Sequence, residues 1–319
     1  MTLTNADPQP PPQALSAGVR HITLDGAGIT LSALLSEPEE GPPRAVVVAV
    51  HGGGMSAGYF DGQAHPDLSL LVLGARLGYT VLAVDRPGYG RSAAQLPEGQ
   101  TLAEQSATLR AALTDFAASY RTGAGLFLLA HSYGGKLVMV AAADAPPPSL
   151  LGLDVSGCGH RYAVEPSDVA AHLRPSDTDG GAAAASPLSQ SSERMRYWGP
   201  LHLYPPGTFR SVGPMVSAVP VREPAEAARW PQLVGALLPR IQVPVRLTFA
   251  EHEAWWRHDD ASLADLATQL SGTSRVVIDR QPLAGHNISL GWAARSYHLR
   301  ALAFLEDCLA AGRKQGPAA

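Results

Sequence analysis

Leu126-Phe-Leu-Leu-Ala-His-Ser-Tyr-Gly-Gly-Lys-Leu-Val-Met-Val140 is the stretch on which the reading of this chain turns. An apolar run from Leu126 to Ala130 stops at His131-Ser132-Tyr133-Gly134-Gly135, and an apolar segment with helical spacing starts directly after it. A strand that becomes a helix within so few residues forces unusual backbone angles on the residue between them, and small neighbours relieve the crowding. Ser132 is that residue. Its hydroxyl is expected to stand over the end of a sheet while the first amides of the helix point toward it, where they stabilise developing negative charge. Serine beside glycine is also common in plain surface turns, so the rest of the chain has to decide between a nucleophile and a turn.

Composition narrows the choice. With 319 residues, 45% of them apolar and 16% charged, the chain can bury a large core as one α/β domain, with or without an insertion. A net charge of −4 offers no basic surface for nucleic acid. Cys158 and Cys308 are too far apart in sequence to suggest a disulfide framework or metal-ligand spacing. The opening residues lack the basic start and apolar core of a secretory signal, and no run of about 18 apolar residues is present to cross a bilayer. The expectation is a cytoplasmic protein that meets neither membrane nor nucleic acid.

Taken in order, residues 1–17 read as a Pro-rich flexible leader. Val19–Asp25 and Ile29–Leu35 flank Gly26-Ala-Gly28 as a hairpin. Ala45–Val50 and Thr80–Val84 are β-branched and do not alternate, as befits strands buried on both faces of a parallel sheet. A helix is predicted over Leu68–Leu77. Another is opened by the capping-box spacing Thr101-Leu-Ala-Glu104, with Leu102, Leu109, Leu113, Phe116 and Tyr120 on its apolar face. Further strands follow at Leu150–Val155, Val243–Ala250 and Ser274–Ile278, the last leading through a loop at Asp279–Gly285 to His286, and a closing helix spans roughly Leu290–Ala311. From about Gly159 to Leu238 the alternation breaks. That segment holds the low-complexity stretch Ser176–Ser189 and the aromatic, Pro-rich run Tyr197–Phe209, and reads as an inserted cap or lid. The expected architecture is a doubly wound, mostly parallel sheet of about eight strands, with a core of residues 18–158 and 239–319 and a cap of residues 159–238.

Four motifs fall at predicted strand ends: His51-Gly-Gly-Gly54, Asp85-Arg-Pro-Gly-Tyr-Gly-Arg-Ser92, Ala130-His-Ser-Tyr-Gly134 and Gly285-His286. Through them the chain resembles the α/β-hydrolase superfamily from about Val19 to Ala311. The resemblance implies a serine hydrolase without metal or organic cofactor, acting through an acyl-enzyme on an ester, thioester or lactone of a small apolar molecule. Ser132 is implied as the nucleophile, His286 as its base and Glu253 as the acid orienting that base. Here Glu stands where the superfamily more often has Asp; Glu251 is the nearest competitor and Asp259 a distant one. Backbone amides of Gly53 or Gly54 and of Tyr133 are implied as the oxyanion hole. His51 and His131 read as loop supports and Cys158 as a packing residue, while His160, Trp198, Tyr204, Phe209, Trp255 and Trp256 are candidate pocket walls. The same fold also serves cyclases and acyltransferases, lyases, cofactor-free peroxidases and some non-catalytic receptors of small molecules, and no motif speaks to oligomeric state.

Overall fold

The structure, a computed structural model, describes residues 14–173, 196 and 198–315. The first 13 residues of the expected leader, the low-complexity stretch Ser176–Ser189 and Tyr197 lie outside the described residues. Eight strands form one sheet: β1 (Arg20–Asp25), β2 (Thr30–Ser36), β3 (Val46–Val50), β4 (Thr80–Val84), β5 (Leu126–His131), β6 (Leu150–Ser156), β7 (Val245–His252) and β8 (Val276–Gly285). Their order across the sheet is β1-β2-β4-β3-β5-β6-β7-β8. The first two strands pair antiparallel with each other and β2 antiparallel with β4, whereas β4 through β8 run parallel.

The unbroken apolar runs go to the centre of this sheet. Every residue of β3, β4 and β5 is buried. The pleat then sends Val46, Val48 and Val50 into one core and Val47 and Ala49 into the other. The first core is closed by α2 (Leu102–Ser119) and α3 (Tyr133–Asp144), and the second by α1 (Leu70–Arg76) and a long C-terminal helix. The predicted capping box is made: Glu104 N–H donates to Thr101 Oγ1 at 3.3 Å and Thr101 N–H to Glu104 Oε2 at 2.8 Å. Leu102, Leu109, Leu113 and Phe116 are buried beneath that helix as their spacing requires.

Between β6 and β7 lie α4 (Pro166–Leu173) and α5 (Glu223–Leu237), which pack on each other, and α5 also lies against α3. After β7 come α6 (Asp260–Gln269) and, beyond β8, the C-terminal helix α7 (Ala294–Gln315). Two expectations need correction. The predicted loop Asp279–Gly285 is strand, because β8 keeps pairing with β7 until Gly285 stands opposite His252. The closing helix starts at Ala294 and not near Leu290, since Ile288–Leu290 form a separate 3-10 turn. No helix among the described residues is long and apolar enough to cross a membrane.

A buried ion pair ties β6 to β7 and α7. Asp154 and Arg246 face each other in the register, with Nη1 and Oδ2 2.5 Å apart, and Tyr297 Oη donates to Asp154 Oδ1 at 2.8 Å. Arg246 Nε also donates to Asp279 Oδ2 on β8 at 2.9 Å. Removing one partner of such a pair strands the other charge. Asp154→Ala is therefore expected to lower unfolding stability by about 3–5 kcal/mol in urea titrations at unchanged slope, with much of the loss recovered in Asp154→Leu/Arg246→Met.

Candidate active site

β5 ends at His131 and α3 begins at Tyr133, leaving a single residue to turn the chain. Ser132 does so with φ 52° and ψ −115°, a conformation that costs a non-glycine residue about 1–3 kcal/mol. Its surroundings hold it there. Ser132 N–H donates to the Ser156 carbonyl at the end of β6 at 2.8 Å, and Ser132 C=O accepts from Gly135 N–H at 2.9 Å. Gly134 lets α3 start this close to β3, because a Cβ there would strike the carbonyls of Val50 and His51.

The His286 ring spans the gap between Ser132 and Glu253. Its Nε2 lies 3.1 Å from Ser132 Oγ and its Nδ1 lies 2.7 Å from Glu253 Oε2. An ionised carboxylate only accepts, so Nδ1 carries the proton and Nε2 is left to accept from the serine hydroxyl. Glu253 is buried in the turn after β7, and its Oε1 accepts from Trp255 N–H at 2.9 Å. Neither competing carboxylate is near the histidine. Glu251 accepts from Leu283 N–H at 2.7 Å on the exposed side, and Asp259 caps α6 through Ser262.

The other histidines around the site are held neutral. His131 stacks on Tyr59 at 4.7 Å and tilts against His286 at 4.7 Å, and burial, reinforced by the charge of His286, keeps it well below the usual histidine range. Burial and then Arg86 do the same for His51, whose Nε2 accepts from Arg86 N–H at 3.0 Å. His172 is brought down to about 4, first by burial and then by the charges of His286 and Arg196. Cys158 is pushed up to about 11 by burial, so it is a neutral thiol and not a second nucleophile.

The glycine loop after β3 is fixed from below by Arg86. This buried side chain donates from Nε to His51 C=O at 2.9 Å and from Nη2 to Gly52 C=O at 3.2 Å. It also forms a two-pronged ion pair with Glu223 at the start of α5. Burial alone would lower the guanidinium, but the Glu223 charge holds it above its ordinary range. Gly54 is not available to an oxyanion, since its N–H donates to Tyr89 Oη at 3.2 Å and its carbonyl accepts from Ser217. Gly53 and Tyr133 both line the cavity over Ser132, and the Tyr133 amide is one of the first-turn donors of α3 that have no partner within the helix.

That cavity is walled by Tyr162, Val169 and Leu173 from the segment after β6, by Trp255 and Trp256 from the segment after β7, and by Lys136 from α3. Of the predicted pocket residues, Trp255 and Trp256 are there. His160 is not: its Nε2 is 2.7 Å from Asp265 Oδ2 at the outer side of α6. Trp198, Tyr204 and Phe209 are also elsewhere, packed on one another with ring centres 4.9–5.9 Å apart. They buttress the His286 turn from behind, where Gly285 has no room for a Cβ against Trp198 C=O and Tyr204 Oη. Tyr162, Val169, Leu173 and Lys136 were missed, although Lys136 stands one helical turn after Ser132 in the sequence. No cluster of His, Cys, Asp and Glu among the described residues could hold a metal ion.

The chain was compared with known proteins by sequence and by fold. Residues 47–303 match the model of the Alpha/beta hydrolase family. No curated protein is significantly similar in sequence. Among solved structures, a thermostable carboxyl esterase from Bacillus coagulans has a TM-score of 0.64 at 16% identity, over 92% of this chain and 100% of that one. A proline iminopeptidase from Mycobacterium smegmatis has a TM-score of 0.61 at 20% identity, over 92% and 100%. The carboxylesterase CesB from Bacillus subtilis has a TM-score of 0.60 at 17% identity, over 90% and 91%. With the family's pattern matched over most of its length and the fold shared across nearly all of it, the chain belongs to the alpha/beta hydrolase family.

Proposed function

We propose that the protein is a serine hydrolase that cleaves a carboxylic ester, thioester or lactone of a small molecule through an acyl-enzyme. The observation that carries this reading is the single chain of contacts from Ser132 Oγ to His286 Nε2 at 3.1 Å and from His286 Nδ1 to Glu253 Oε2 at 2.7 Å. Two similar folds being carboxylesterases by name adds support for the ester class.

Each residue takes the role its surroundings permit. Ser132 Oγ attacks the carbonyl as His286 Nε2 takes its proton, and the buried Glu253 carboxylate stabilises the imidazolium so formed. The carbonyl oxygen becomes an oxyanion facing the amides of Tyr133 and Gly53. His286 then gives its proton to the leaving alcohol or thiol, and the acyl group stays on Ser132. Water then attacks the acyl carbonyl as it loses a proton to His286, and the acid departs as the bond to Ser132 Oγ breaks and His286 returns the proton to that oxygen. Tyr162, Val169 and Leu173, from the described residues after β6, enclose the acyl group together with Trp255.

Ser132→Ala is expected to lower kcat on 4-methylumbelliferyl esters by at least about 10⁴-fold and Glu253→Gln by about 10³–10⁴-fold, while circular dichroism shows both folded. A fluorophosphonate should label the wild-type protein at Ser132 alone. Turnover by Ser132→Ala within tenfold of wild type would exclude this mechanism. Gly157, at φ +61°, touches the histidine from β6, and a Cβ there would sit 2.9 Å from His286 Cε1. Gly157→Ala should therefore cost roughly 10²-fold in kcat by displacing the ring, without loss of the fold.

A further inference from the structure

Lys136 takes no part in the steps above, yet it lines the cavity that holds Ser132 and His286 while being only 3% exposed. Four rings surround its ammonium, with centres 4.9 Å (Trp256), 5.4 Å (Tyr133), 5.8 Å (Tyr162) and 6.0 Å (Trp230) from Nζ. Three of these rings are locked by bonds of their own. Trp230 Nε1 donates to Gly159 C=O, Trp256 Nε1 to Gly157 C=O and Tyr162 Oη to Ala227 C=O, each at 2.8 Å.

Ring faces attract a cation but accept no ordinary hydrogen bond, and an ammonium has three donors to place. No oxygen among the described residues accepts from Nζ. The buried carboxylates nearby are already committed, Glu253 to His286 and Glu223 to Arg86. Burial pulls Lys136 below the ordinary lysine range, as expected of a cation still lacking its counter-charge. An incoming anion would supply both the acceptor and that charge.

We propose that Lys136 is a specificity-determining residue whose ammonium binds a carboxylate on the substrate, so that the preferred ester is an apolar chain ending in an acid. The inference rests on the reading of Ser132 as the nucleophile. Such a substrate reaches from the carbonyl at Ser132 along the apolar surface of Val169, Leu173 and Trp255 and ends at Nζ.

The test compares mono-4-methylumbelliferyl glutarate with 4-methylumbelliferyl valerate, which differ by a terminal carboxylate in place of a methyl group. The wild-type protein should show the higher kcat/KM on the glutarate. In Lys136→Met the ratio of the two kcat/KM values should fall by about 10–100-fold, the range expected of a lost charge-assisted bond. A ratio unchanged by the substitution, or a wild-type preference for valerate, overturns the assignment. Should Lys136→Met fail to fold, the wild type alone decides. Hexanoate should then slow fluorophosphonate labelling of Ser132 while hexan-1-ol at equal concentration does not, and equal protection by both overturns the proposal. A wild-type protein that neither labels at Ser132 nor turns over either ester instead overturns the nucleophile reading, and the role of Lys136 with it.

Discussion

Everything in the site hangs on the left-handed backbone of Ser132. An L-residue leaves that conformation unless its surroundings over-determine it, and here they do. The strand before it is buried throughout and paired on both sides, the helix after it is clamped against β3 through Gly134, and its own amide is held by the end of β6. The strand order then supplies the neighbours. Because β5 lies between β3 and β6, the chain leaving β3 brings Gly52 and Gly53 to one side of Ser132, and the chain leaving β6 brings Gly157 against His286 on the other. β7 and β8 follow next in the sheet and deliver Glu253 and His286 at adjacent ends. No long-range loop is needed to gather these groups.

The second constraint is the buried Arg86–Glu223 pair. Taking both charges out of water is expensive, and apolar residues of equal volume often stabilise a fold as well or better. They could not hold two backbone carbonyls, however, and Arg86 holds those of His51 and Gly52 while its partner also accepts from Tyr89 Oη, which in turn accepts from Gly54 N–H. The pair therefore sets the path of the glycine loop and at the same time pins the start of α5.

Much of this was legible in the residues because local pattern and tertiary role agree. Non-alternating β-branched runs became the central strands, and Thr101 with Glu104 made the expected cap. The motifs at the strand ends led to Ser132 and His286, and the family resemblance they carry implied Glu253, over Glu251, as the acid; the structure brings the three together. β8 was read too short because Asp279-Arg-Gln-Pro-Leu283 is polar and broken by proline, and only its pairing with β7 marks it as strand. The pocket was the least legible part. Aromatic content does not say on which side of the His286 turn a ring falls, so Trp255 was found while Trp198, Tyr204 and Phe209 proved to be its backing. Lys136 escaped notice for the opposite reason, since a lysine one turn along a helix is normally solvated and only the closing of Tyr162, Trp230 and Trp256 over it makes it a buried charge.

Under the proposed mechanism, the crowding of imidazoles raises the question of which one takes the serine proton. His51, His131 and His172 all lie near the glycine loop or the cavity, and each is kept neutral chiefly by desolvation. His286 differs from His51 and His131 in having the Glu253 carboxylate against Nδ1 at 2.7 Å, while Nδ1 of those two rings meets Gly52 C=O and Ser156 Oγ. In a medium of low dielectric that contact favours His286 over His51 and His131, because a positive charge on His286 would be met by a carboxylate. The closeness of His131 sharpens the distinction. At 4.7 Å between ring centres, a charge on His286 adds to the burial that keeps His131 well below the usual histidine range. That neutral ring packs beside His286, whose Nε2 lies 3.1 Å from Ser132 Oγ, and these are the two atoms between which the proposed mechanism moves the proton.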